Sequence, residues 1–145
     1  MRALLDVNVL IALFDADHIF NDRAHAWLES QAAEGIATCP LTENGLVRIL
    51  TNPGYSKQIR LAPAEVIRRL KNFIAAQDHR FFEDRLSLAD ESIFRTDYIL
   101  GSKQITDIYL LGLATAHEAC LATFDESVNR KAVPAASPKN LFVIE

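Results

Sequence analysis

Two cysteines, five glycines and five prolines in 145 residues leave several classes of protein out. Cys39 and Cys120 lie far apart with no C-x-x-C spacing, so neither a disulfide framework nor a zinc ribbon is encoded. A single disulfide is the one pairing the count leaves. Two reduced, buried thiols in a cytoplasmic protein are the better expectation. The shortage of glycine and proline excludes low-complexity and disordered chains. No uncharged run is long enough to span a membrane, and Asp6, Asn8, Asp15 and Asp17 interrupt the opening apolar stretch before it can act as a signal peptide. No excess of positive charge is present either: the net charge is −4, which offers no electrostatic case for tight non-specific binding to nucleic acid. Phosphate-cradling P-loops and GxGxxG turns are absent.

What is there is a chain half hydrophobic and 23% charged, long enough for one domain over residues 1–145 with a sizeable core. Its apolar segments alternate between strand and helix character. Residues 2–11 form an apolar run that suits a strand buried on both faces. A helix capped by Asn21 or Asp22 runs to about Ala33, and Gly35 ends it. A strand over 36–39 leads to Pro40, which fits the first turn of a helix that stops at Asn52-Pro53-Gly54. Residues 55–62 read as an exposed loop, and Pro63 opens another helix with Val66, Ile67, Leu70, Phe73 and Ile74 at helical spacing. A third strand is expected over 79–83 and a helix over about 92–98. After Gly101, Thr106 is a candidate N-cap for a buried helix, a strand covers 120–124, a short helix follows from about Glu126, and a last strand lies at 140–144. This alternation predicts a three-layer α/β/α domain around a mostly parallel sheet of four or five strands.

One residue breaks the pattern of the first strand. An ionised carboxylate is costly to bury without a partner, and Asp6 stands in the middle of LLDVNVL. In a strand, Asp6 and Asn8 would share one face. In parallel sheets the functional site lies beyond the carboxyl ends of the strands. Three further acids fall at such ends or at the helix starts after them, each flanked by apolar sequence: Glu43 in PLTENGL, Asp107 in ITDIYLL and Asp125 in LATFDES. Carboxylates gathered in one pocket acquire raised pKa values or need a cation. A hard divalent ion such as Mg²⁺ or Mn²⁺ prefers oxygen ligands and keeps several waters. An ion held this way polarises a phosphoryl oxygen and acidifies a bound water, so phosphate-ester hydrolysis is the reaction class. One ion or two would both suit four acids.

LLDVNVLIALFD, TCPLTENGLVRILTNP, QITDIYLLGLA and LATFDESV, in that order and spread over nearly the whole chain, resemble the PIN-domain ribonucleases, and most closely the VapC-type toxins of bacterial toxin–antitoxin pairs. The resemblance implies a PIN-like fold and Mg²⁺- or Mn²⁺-dependent endoribonuclease activity leaving a 5′-phosphate and a 3′-hydroxyl. It also implies an RNA substrate, neutralisation by a cognate antitoxin, and a homodimer. By the same resemblance Asp6 and Asp107 match the principal metal-binding acids, Glu43 the acid after strand two and Asp125 the fourth acid, with Asn8 and Thr106 as polar neighbours. Residues 55–101 carry no family motif, and helices near Trp27 and Leu46 are both candidates for an antitoxin groove.

Two other functions compete. A haloacid-dehalogenase-like phosphatase also begins with an Asp on its first strand, but needs an acid two residues on, where this chain has Asn8, and a downstream Lys. A catalytically silent PIN-like binding module would have no need of four acids. The remaining polar features have plainer explanations. Asp107 and Glu43 suit the first turn of any helix, and Asp125 suits a turn. His18, His25, His79 and His117 show no metal-type spacing, and Trp27 and the phenylalanines belong to a core. The basic cluster of Lys57, Arg60, Arg68, Arg69 and Lys71 reads as a solvated face, with tracking of RNA phosphates as the alternative.

Overall fold

Leu4 and Leu5 are followed at once by a turn, because Asp6 has two duties in the backbone. The computed structural model, which describes residues 1–58 and 60–145, ends the first strand, β1, at Ala3–Leu5. Asp6 then caps the helix α1 (Val7–Phe14), with its carboxylate accepting the Val7 N–H at 2.6 Å. The expected strand over 2–11 is therefore corrected: its second half, from Val7 on, is helix. A continuous apolar run does not distinguish a buried strand from a buried helix, and the local carboxylate cap decides for the helix. Asp6 and Asn8 consequently do not share a strand face; Asn8 lies in the first turn of α1.

The remaining elements are α2 (Asn21–Gln31), β2 (Ile36–Thr38), α3 (Pro40–Leu50), α4 (Pro63–Ala76), β3 (His79–Phe81), α5 (Ile105–Ala116), β4 (Cys120–Thr123) and β5 (Leu141–Val143). Gly35, at φ +81°, supplies the left-handed turn between α2 and β2. Pro40 occupies the first turn of α3 as expected. Three expectations are revised. No helix covers 92–98; Asp90 folds Ser92 back onto its own side chain, and only a 3₁₀ turn at Thr96–Tyr98 follows. Residues from Glu126 form no helix, because Ser127 is held on Asp125; a 3₁₀ turn appears at Arg130–Ala132. Thr106 does not cap α5, which starts one residue earlier out of a 3₁₀ turn at Ser102–Gln104. The expected loop over 55–62 lies outside the described residues at position 59. Elsewhere along it no helix or strand is present before α4.

Among the described residues five strands form one parallel sheet in the order β3-β2-β1-β4-β5. Successive strand residues point to opposite faces. Ala3, Leu5, Ile36 and Ala122 meet α1 to α4 on one side. Leu4, Ala37 and Leu121 meet α5 on the other. The three-layer α/β/α architecture follows from that double burial. Both cysteines are free and buried. Among the described residues no helix is long and apolar enough to cross a membrane.

The order matters for function. From β1 the chain winds one way through β2 to β3. It then crosses by α5 to β4, on the other side of β1, and goes on to β5. The carboxyl ends of β1 and β4 therefore flank the point where the winding reverses, which is where open parallel sheets form crevices.

Candidate active site

Asp6 directly follows β1 and Asp125 lies two residues beyond β4. The Asp6 N–H extends the ladder to the Ala122 carbonyl at 3.0 Å. That register sets Thr123 beside the Asp6 side chain. Asp6 is only 4% exposed. Its Oδ2 accepts the Thr123 hydroxyl at 2.7 Å, while its Oδ1 holds the Val7 amide. Burial pushes its pKa up, against the two hydrogen bonds that lower it, and the Asp125 charge adds to the rise.

Thr123 is fully buried and its hydroxyl is a hub. Besides donating to Asp6 it accepts from Asn8 Nδ2 at 3.1 Å and from the Asp125 N–H at 3.0 Å. The Asn8 orientation is set by its other end, where Oδ1 accepts the Phe124 N–H at 3.3 Å. Asn8 thus reaches the site through the geometry of a helix rather than a strand.

Asp107 stands in the first turn of α5, with Thr106 beside it. Its pKa is raised to about 7, by burial first and then by the charge of Asp6 and the nearby Asp125 carboxyl. Asp125 moves the other way: hydrogen bonds from the Ser127 hydroxyl (2.6 Å) and amide (2.8 Å) hold it below the usual carboxylate range. Each acid perturbs the other: Asp125 helps to raise Asp107, and Asp107 helps to lower Asp125. The two environments separate the two acids.

A cleft of about 340 Å³ opens beside them, lined by Asp6, Asn8, Thr106 and Asp107 and walled by α3 through Leu41, Gly45, Arg48 and Ile49. Gly45 lets α3 come this close. A Cβ there would stand 2.9 Å from Val7 Cγ2, on the residue next to Asp6.

Glu43 is not part of that cleft. It lies two residues before Gly45, which on a helix turns its side chain to nearly the opposite side. It faces a separate groove toward α4, with Val47, Ile67 and Leu70. There its Oε2 accepts the buried Thr38 hydroxyl at 2.6 Å, and Thr38 also contacts His79 Nε2 at 2.7 Å. Burial lowers the His79 pKa, against the Glu43 charge that raises it. The structure therefore brings Asp6, Asp107 and Asp125 together and leaves Glu43 in a network linking α3 to β2 and β3. The other histidines have local roles: His18 accepts the Phe20 amide, His25 meets the Leu13 carbonyl, and His117 stacks on Phe82.

Three residues of the site escape a reading for acids alone: Thr123, Gly45 and Arg48. Each left a signal. Thr123 is a polar residue at the end of an apolar strand, the same oddity that exposed Asp6. The helix expected from Pro40 places residues 41, 45, 48 and 49 on one face by its 3.6 period, with 43 on the other.

Among the described residues, no three His, Cys, Asp or Glu side chains form a ready-made metal cage. The donors at the cleft are all carboxylate, amide and hydroxyl oxygens. That set fits Mg²⁺ or Mn²⁺, which bind through one or two carboxylates and retain water, and the cleft has room for an ion with several waters at about 30 Å³ each.

The PIN-domain family model matches residues 3–134. The chain belongs to the PIN-domain family. Within it the chain is similar to VapC ribonucleases. The domain is 42% identical to Ribonuclease VapC44 of Mycobacterium tuberculosis over 141 residues, covering 97% of this chain and 98% of the relative. It is also 42% identical to Ribonuclease VapC38 of the same species over 126 residues, 87% and 86% of the two chains. Among solved structures, the PIN fold of this chain matches VapBC2 from Rickettsia felis bound to a promoter DNA fragment, with a TM-score of 0.60 at 18% identity over 100% and 98% of the chains. A toxin–antitoxin complex from Klebsiella pneumoniae matches with a TM-score of 0.59 at 21% identity over 99% and 98%.

Proposed function

We propose that this PIN domain is a divalent-metal-dependent endoribonuclease, the toxin of a toxin–antitoxin pair, which a cognate antitoxin silences. One observation carries the reading: a cleft beside crowded acids, in which burial first and then Asp6 and Asp125 push the Asp107 carboxyl up to about 7. Such a site gains most from a cation. The curated relatives bear the name ribonuclease and cover the chain almost end to end. The solved neighbours are toxin–antitoxin complexes, which supports an antitoxin as partner. A homodimer belongs to the same reading.

Asp6 and Asp107 would hold the ion. Bound there, Mg²⁺ or Mn²⁺ would polarise the phosphodiester and lower the pKa of a water. The residues of the chain do the rest. Thr123 and the Val7 amide pin both oxygens of Asp6, so it cannot swing as substrate arrives. Asp125, kept ionised by Ser127, is a poor proton acceptor, so the Asp107 proton would pass to solvent if that carboxylate held the ion. Asn8 has both ends of its amide engaged, which argues against a phosphatase needing an acid at that position.

The test is cleavage of mixed single-stranded RNA with Mn²⁺ or Mg²⁺ titrated into the chelator-treated protein. Wild type should cleave and Asp6→Asn should not. Folded wild type without metal-dependent cleavage would leave a binding module, and hydrolysis of a phosphomonoester but not RNA would leave a phosphatase.

A further inference from the structure

Resting on the nuclease reading, the geometry points to Arg48 as the residue that binds an RNA phosphate at the mouth of the cleft. A phosphodiester is an anion, and the acids that would hold a metal repel it. Any strand entering this site needs a cation that the acids have not already neutralised.

Arg48 is placed for that. It stands in the last turn of α3 and is exposed. Among the described residues it is the one basic residue lining the cleft with Asp6 and Asp107. It also lines the neighbouring groove with Asn44, Val47 and Ile67, so it forms the ridge between two adjoining depressions. Its guanidinium is uncommitted among the described residues. The ion pairs there join Met1 to Glu34, Arg2 to Asp78, and Arg68 and Arg69 to Glu65. Arg48 makes none, although acids lie on both sides of it.

Three other basic side chains, Arg2, Arg68 and Arg69, are already committed. Arg68 and Arg69 share Glu65 on the outer face of α4. Arg2 is spent on the Ile36 and Asp78 carbonyls and the Asp78 carboxylate. A guanidinium presents a rigid fork of donors suited to two phosphate oxygens at once. Its long stem can deliver that fork over the cleft from an exposed root. A last-turn arginine also favours its own helix dipole, but that role needs no cleft and predicts no effect on RNA.

The phosphate contact is present before and during cleavage, so losing it weakens binding rather than chemistry. In Mn²⁺, steady-state cleavage of a short single-stranded RNA by Arg48→Met should show KM raised about ten-fold and kcat changed less than about two-fold. The salt dependence of binding to the same RNA should be measured in an Asp107→Asn background, which keeps the RNA intact. The slope of log affinity against log salt should flatten by about 0.7, the value of one phosphate contact on a single strand. Arg48→Lys should keep the slope but recover only part of the KM, since it loses the fork. Melting temperatures should agree within about 1 °C for an exposed site. An Arg48→Met variant with wild-type KM and salt slope overturns the assignment while cleavage by wild type upholds the nuclease. A melting temperature that falls in step with activity assigns Arg48 a structural role instead and overturns it too. Wild type that neither cleaves nor retains RNA overturns the nuclease reading and this one with it.

Discussion

A threonine hydroxyl has one proton to donate and two lone pairs, and at Thr123 all three are engaged. The proton goes to Asp6 and the lone pairs take Asn8 and the Asp125 amide. Thr123→Val keeps the shape and removes all three bonds, leaving buried polar groups unpaired. The expected cost is about 1–3 kcal/mol of stability, read by urea denaturation, together with loss of most cleavage. Thr123→Ser should retain both. At Asp107 the sign of the pH effect can be worked out. Its pKa rises from 3.8 in the unfolded chain to about 7 in the folded one, so the folded state holds the proton more tightly. The destabilisation is absent below pH 3.8, grows toward pH 7 and is complete above it. Asp107→Asn should therefore abolish cleavage yet raise the melting temperature of metal-free protein at pH 8. Discounted for its half-exposed position, the gain is roughly 1 kcal/mol or about 3 °C. At pH 4 the gain should nearly vanish. A loss of stability at both pH values would give Asp107 a structural role.

Helix α3 separates two sites that one stretch of sequence runs together. Its cleft face carries Gly45 and Arg48, and its far face carries Glu43. Glu43→Gln keeps an acceptor for the Thr38 hydroxyl, so metal-dependent kcat should stay within about three-fold of wild type, whereas Asp6→Asn should be inactive. Equal loss in the two variants would return Glu43 to the pocket. Gly45→Ala tests the approach of α3 to α1. The added methyl meets Val7, whose β-branched side chain has little freedom to move away. Overpacking should cost about 1–3 kcal/mol in thermal or denaturant unfolding, and cleavage should fall further than stability because the shift widens the cleft at Asp6. Helix α1 is the element in which the sequence misleads most. Its residues are apolar almost all round because α1 is packed on several sides, and this erases the periodicity that tells helix from strand.

For the molecule as a whole, metal and fold are linked. An ion that binds the folded chain alone stabilises it by mass action. Millimolar Mn²⁺ should raise the melting temperature of wild type and leave Asp6→Asn unmoved. Because Asp107 must lose its proton to serve as a ligand, the shift should grow as pH rises through about 7. Equal shifts in both proteins would place the ion elsewhere. The strand and helix alternation, the double burial of the sheet and the oddity of Asp6, Asp107 and Asp125 were all legible in the chain, since burial periodicity and misplaced charge are local properties. So was the resemblance that the family match bears out. The end of β1 at Leu5, the hub at Thr123, the bond of Glu43 to Thr38 and the freedom of Arg48 were not. Those depend on which strand lies beside β1 and how closely α3 packs on α1, and no residue can report neighbours more than a hundred positions away until the sheet has set its order.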